Sequence, residues 1–152
     1  MRHLCLPVVF AALLAGCARQ AARGPALLRY YTAPDRAGSA APLSDAVRVG
    51  DLLFLSGKLG IVPGQATPVP GGVAAETRQA LENVRATLEA NGSALDRVVK
   101  CTVFLASIDE WDAMNAVYRT YFPTNRPART TVGGAQLVRN ARVEIECVAA
   151  AG

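Results

Sequence analysis

Apolar and polar positions along the chain recur with two different periods, and the points where the period changes mark its elements. In "VRVGDLLFLSG" (Val47 to Gly57) two strand-like runs meet at Gly50-Asp51, a two-residue loop suited to a type II′ hairpin. "KLGIVPGQATPVPGG" follows, rich in Pro and Gly and without period, which predicts an irregular exposed loop. From Val73 to Ala90, Thr77, Leu81, Val84 and Leu88 fall at i, i+4, i+7 and i+11, one face of a helix. Asn91-Gly92 ends it with residues that tolerate a left-handed cap.

"RVVKCTVFLAS" is dense in β-branched residues and predicts a strand. Ser107 to Glu110 has the spacing of a capping box, and a second helix follows with Trp111, Met114, Tyr118, Tyr121 and Phe122 as core or interface candidates. Pro123 stops that helix, and "ARTTVGG" and "ARVEIECVAA" give two closing strands. The order β-β-α-β-α-β-β predicts an α+β fold, one mixed sheet with both helices over the same face.

The chain has 152 residues, 51% of them hydrophobic, enough for one domain with a core of its own. Its formal charge is +4, but the basic residues stand singly and are not interleaved with aromatics. Nucleic acid is therefore not an expected partner.

The first residues belong to another category. Met1-Arg2-His3 is a short positive segment, and Leu4 to Leu14 is an apolar run too short to span a bilayer. It ends in "LAGC", Leu14 to Cys17, which resembles the lipobox of bacterial lipoproteins. That resemblance implies a signal peptide at 1–16, lipid on Cys17 and membrane attachment through it. Ala18 after the cysteine implies sorting to the outer membrane on the periplasmic side. Residues 17–28, Ala/Arg/Gly-rich and aperiodic, read as the lipidated cysteine and a flexible tether, and 29–152 as the folded domain.

Of the four cysteines, Cys5 and Cys17 lie in this leader region. Cys101 and Cys147 lie in strand-like runs with no metal-ligand spacing. Their default reading is two buried small hydrophobes, and the alternative, in an oxidising compartment, is a disulfide.

Chemistry has few carriers. The only histidine is His3, in the leader, so no Ser-His-Asp set is available and most metal sites are excluded. No phosphate-binding glycine motif occurs. In Val143-Glu144-Ile145-Glu146-Cys147 strand alternation sends the apolar residues one way and both carboxylates the other. Taken alone, Glu144 and Glu146 fit a solvated sheet face, and Arg129 fits an ordinary strand-edge arginine. Asn115 fits a polar helix position, and Ser56 and Gly57 fit the end of a hairpin.

"LFLSG", the run "ALENVRATLEANGSALDRVVKCTVFLASIDEWDAMNAVYRTYFP", "PARTTV" and "VEIECVAA" resemble the reactive-intermediate deaminases, the Rid or YjgF-type family. The likeness runs from about Arg29 to Ala150, with its elements in order. It implies a chorismate-mutase-like fold, a homotrimer, and a ligand cleft at each subunit interface. It also implies hydrolysis of 2-enamine or 2-imine acids to 2-oxo acids and ammonia with neither cofactor nor metal.

By this resemblance Arg129 binds the substrate carboxylate and Glu144 orients the attacking water. Ser56, Gly57, Asn115 and Thr131 then fall at substrate-binding positions. The chain departs from the pattern at Leu43 (usually Tyr), Lys58 (usually Gln), Thr131 (usually Cys) and Val138 (usually Pro). These departures leave the Arg129/Glu144 pair intact and bear on substrate range. The competing expectation is a non-catalytic small-carboxylate-binding or chaperone-like trimer using the same cleft.

Overall fold

The computed structural model describes residues 27–152; the leader, Cys17 and nearly all of the tether lie outside the described residues. Seven strands form one sheet: β1 (Leu28–Tyr31), β2 (Ala46–Val49), β3 (Leu52–Leu55), β4 (Lys58–Leu59), β5 (Val98–Leu105), β6 (Ala128–Val132) and β7 (Val143–Ala150). Two helices, α1 (Gly72–Ala90) and α2 (Trp111–Tyr121), complete it. The sheet order is β1-β2-β3-β7-β5-β6, with β4 also paired to β7. All pairings are antiparallel except β5 with β6, the two strands that α2 connects.

Alternation decides the faces. Leu53 and Leu55, Cys101, Val103 and Leu105, and Val143, Ile145, Cys147 and Ala149 are buried on one face. They form one core with Ala80, Leu81, Val84 and Leu88 of α1 and Met114, Tyr118 and Phe122. Both helices therefore cover the same side, and the expected face of α1 (Thr77, Leu81, Val84, Leu88) is wholly buried. Directly opposed residues share a face. The row Tyr30–Val47–Phe54–Val148–Lys100–Ala128 thus runs across the other, uncovered side. There Tyr30 is 69% exposed and Phe54 44%.

Turn and cap chemistry act largely as the sequence predicts. Gly50 has φ 57° and Asp51 no positive φ, as a type II′ hairpin requires. Past α1, Gly92 takes φ 70°. The amide of Ser93 reaches Leu88 O and that of Gly92 reaches Glu89 O, the paired bonds of a Schellman cap. The capping box is only half formed. Ser107 Oγ accepts the amide of Asp109, but the Glu110 carboxylate bonds Arg142 instead of returning to Ser107.

Two further expectations are corrected. The loop after Gly57 is not irregular from its start, because Lys58 and Leu59 pair with Ile145 and Glu144. Continuing the register of Phe54↔Val148 would set Lys58 opposite Glu144, yet it stands opposite Ile145. One extra residue is therefore inserted at Ser56–Gly57, a β-bulge that breaks one long strand into β3 and β4. Second, Cys101 and Cys147 are joined as a disulfide rather than left as separate hydrophobes. They are directly opposed in the β5–β7 ladder on the same face, with Cα atoms 4.1 Å apart, and only long-range register reveals that.

Helix α1 is drawn close to the sheet at Gly60, where a Cβ would lie 2.5 Å from Glu76 Cα. Glu76 is itself buried, and its Oε2 accepts the amide of Arg142 at 2.7 Å, pinning α1 to the entry of β7. Burial raises its carboxyl above the usual value, and the amides of Arg142 and Val143 oppose that rise. Among the described residues no helix is long and apolar enough to cross a membrane.

Candidate active site

Arg129 sits on edge strand β6, in register with Cys101 and hence on the helix-covered face. Its guanidinium lies over the ring of Tyr118 at 4.6 Å and near that of Trp111 at 5.9 Å. Two aromatic faces hold a planar cation in place while leaving its N–H edge open. The Tyr118 hydroxyl is buried without a hydrogen-bond partner, and its pKa is pushed up to about 12 by that burial, with Arg129 pulling the other way. Thr131, two residues on and on the same face, likewise has a buried, unpartnered Oγ1. Arg129 lines an open cavity of about 490 Å³ with Asn115, Tyr118, Arg119, Phe122, Arg126 and Pro127.

Glu144 sits on β7 opposite Phe104, so alternation turns it to the uncovered face, as its sequence pattern predicts. It is half-buried, while Glu146 is exposed. Burial raises the Glu144 carboxyl above its usual range, and the negative charge of Glu146 raises it further. No hydrogen bond within the described residues restrains it. The bulge explains its setting: a Cβ at Gly57 would lie 1.9 Å from Glu144 Oε1, so only glycine leaves room for the carboxylate there. Ser56 beside it donates its hydroxyl to Ser44 O at 2.6 Å and ties the bulge to the chain before β2.

Glu144 and Gly57 line a second cavity, of about 570 Å³, with Leu43, Asp45, Lys58 and Arg139 on its walls. Lys58 does not bring a free charge to it. Its ammonium bonds Asp45 Oδ1 at 2.8 Å, and its side chain is 11% exposed. Asp45 also takes Arg36 on Oδ1 and the amide of Ala33 on Oδ2. Burial alone would raise the Asp45 carboxyl, but the Ala33 amide and Lys58, with Arg36, hold it below its usual value. Leu43 is half exposed on the same wall.

The expected residues therefore fall into two groups. Arg129, Asn115 and Thr131 belong to the α2–β6 side; Glu144, Gly57 and Ser56 belong to the bulge. Arg129 and Glu144 lie on opposite faces of the sheet and line separate cavities, so one chain does not bring them together. Sequence reasoning missed Arg119 and Arg126 in the first cavity and Asp45 in the second. Arg119 carries a signal, since it follows Asn115 at i+4 on one helix face. Asp45 carries none, because its partners lie 9, 12 and 13 residues away.

The family model described as "Endoribonuclease L-PSP" matches residues 33–151. The chain belongs to that family. Among relatives of this L-PSP domain, the mouse protein named 2-iminobutanoate/2-iminopropanoate deaminase is 42% identical over 111 residues, 73% of this chain and 82% of the relative. A solved structure of a putative endoribonuclease from Thermotoga maritima is 42% identical and superposes with TM-score 0.74 over 82% of this chain and 98% of that one. TdcF of E. coli, solved with bound serine, is 29% identical with TM-score 0.73 over 82% and 100% of the two chains. The mixed sheet with two helices on one face is thus the fold of the YjgF/L-PSP structures, as the resemblance implied.

Proposed function

We propose that the protein hydrolyses 2-imino acids, and their enamine tautomers, to 2-oxo acids and ammonia. The cleft would be completed between copies of a homotrimer, Arg129 coming from one copy and Glu144 with Gly57 from the next. The observation that carries this reading is the division of the site. An aromatic-clamped guanidinium and a carboxylate of raised pKa occupy opposite faces of one sheet, which suits a site shared across an interface. The exposed apolar row through Tyr30 and Phe54 supports burial of the uncovered face against other copies. The deaminase names of the sequence relatives and the serine bound to TdcF support the substrate class.

In this mechanism Arg129 grips the substrate carboxylate through two parallel N–H bonds and fixes the imine carbon. Glu144 takes a proton from water as the water oxygen bonds that carbon. The C=N π pair moves to nitrogen, which takes up a proton, giving a carbinolamine. A second proton reaches nitrogen from Glu144, the C–N bond breaks with its pair leaving on ammonia, and the hydroxyl loses its proton as the carbonyl forms. The sum is imine plus water giving 2-oxo acid plus ammonia, a reaction that needs no cofactor. A carboxyl with a raised pKa suits both transfers, since it takes a proton from water more readily than an ordinary carboxylate and stays protonated closer to neutrality, ready to pass the proton on to nitrogen.

The test is the rate of decay of freshly generated 2-iminopropanoate with and without the protein, with Arg129→Ala as control. Acceleration that the substitution abolishes is expected. Binding of a small 2-oxo acid with no acceleration would instead favour the non-catalytic carboxylate-binding trimer. RNA cleavage, the activity in the family's description, has less support here, because the chain's only histidine is His3 and its basic residues are not interleaved with aromatics along the sequence.

We also propose that the protein is an exported lipoprotein, anchored through Cys17 to the periplasmic side of the outer membrane. The "LAGC" motif motivates this, and the Cys101–Cys147 pair suits an oxidising compartment. Cys17→Ser should move the protein from the membrane fraction to the soluble one, and an unchanged distribution would overturn the assignment.

A further inference from the structure

The cavity around Arg129 holds more positive charge than a simple imino acid can use. Arg119, Arg126 and Arg129 all line it, together with Asn115, Tyr118 and Phe122, and none of its lining side chains is acidic. None of the three guanidiniums pairs with a carboxylate among the described residues, whereas Arg36 and Lys58 in the neighbouring cavity are both held by Asp45. Arg119 spends only its Nε, on Asn115 O at 3.3 Å. Arg126 is exposed, and its guanidinium has no hydrogen-bond or ion-pair partner among the described residues.

A charge count makes the excess definite. The substrate's carboxylate offsets one of the three cations, and Glu144 of a second copy, if ionised, offsets another. One guanidinium remains over. Like charges in a shared cavity repel, and an added anionic group relieves that repulsion while gaining charge-assisted bonds. Backbone geometry adds direction. Arg129 is clamped inward by Tyr118, while Arg126 lies three residues earlier, exposed, before strand β6 begins. An anion reaching from Arg129 toward Arg126 is therefore an extended one.

Resting on the deaminase reading, we propose that the preferred substrates are imino acids with a second carboxylate on the side chain. Arg129 takes the carboxylate next to the imine and Arg126, assisted by Arg119, takes the distal one. Arg126 is then a specificity-determining residue, outside the reacting atoms.

The experiment measures binding of product analogues by titration calorimetry on the assembled protein, so that it does not depend on turnover. 2-Oxoglutarate should bind about tenfold more tightly than 2-oxobutanoate, one charge-assisted contact's worth. Arg126→Gln should remove most of that preference, Arg126→Lys should restore part of it, and Arg129→Ala should weaken both ligands together. Equal affinity for the two acids, or a preference unmoved by Arg126→Gln, overturns the proposal. Failure of imine hydrolysis with the binding preference intact would strike the catalytic reading alone.

Discussion

The α2–β6 side and the bulge side of this domain solve opposite electrostatic problems. On the first, cations gather without counter-charges, and Arg129 is fixed by aromatic faces rather than by an acid. On the second, Arg36 and Lys58 are already spent on Asp45, Arg139 donates to Ala66 O, and Glu144 is left half-buried beside another carboxylate. An anchor for an anion needs an unpaired guanidinium, and a base needs a carboxylate that no guanidinium has claimed. A site with Arg129 and Glu144 in direct contact would satisfy each with the other and do neither job. Placing them on opposite faces of one sheet keeps both available.

The sharpest way to break this comparison is to separate the two halves genetically. Arg129→Ala and Glu144→Gln should each lower kcat/KM for imine hydrolysis by about 100-fold or more. If the halves belong to different copies, mixing the two inactive variants through unfolding and reassembly creates trimers with one intact site. Random mixing should then restore about a quarter of the wild-type rate, by counting sites in a cyclic trimer. No recovery would mean that one chain supplies both groups.

Gly57→Ala tests the bulge side alone. The new methyl must displace the Glu144 carboxylate, which should cost about 10- to 100-fold in kcat while leaving the affinity for 2-oxo acids, which the proposal assigns to the arginine side, nearly unchanged. Equal losses in both quantities would show that the two sides are not separable.

The disulfide ties the sides together, since Cys101 stands beside Arg129 in the β5–β6 ladder and Cys147 lies on the strand that bears Glu144. Its sequence separation of 46 corresponds to roughly 4 kcal/mol in the loop-entropy account. Reduction should accordingly lower Tm by about 10 °C or more. A Tm indifferent to reductant would remove the bond from the fold's support.

The smallest effect concerns pH. On the proposed mechanism Glu144 acts as a base only when ionised, so activity should fall as pH drops through its pKa, which burial and then Glu146 raise above the usual carboxyl value. Glu146→Gln removes the second cause and should shift that acid limb to lower pH, read from the kcat/KM profile. A shift upward, or none, would mean that Glu146 does not face the same group.

What could be read from the sequence divides along lines of range. The buried face of α1, the type II′ turn at Gly50 and the outward placement of Glu144 and Glu146 all follow from spacing within one element. The Gly57 bulge, the Cys101–Cys147 bond and the Asp45–Lys58 pair depend on which residue of one strand meets which residue of another. Periodicity within a strand is silent on that register. Arg129 lies between the cases. Its strand was legible, but its face was fixed only by pairing with β5, and its aromatic clamp only by the way α2 crosses back.

The extra residue at Ser56–Gly57 means that part of the site is encoded as a length. Shortening the chain by one there, with every chemically active side chain kept, would let β3 and β4 zip into one uninterrupted ladder against β7. The pocket that receives the Glu144 carboxylate would be gone. Comparing chains residue type by residue type overlooks such a change; counting the positions between Leu55 and Lys58 finds it.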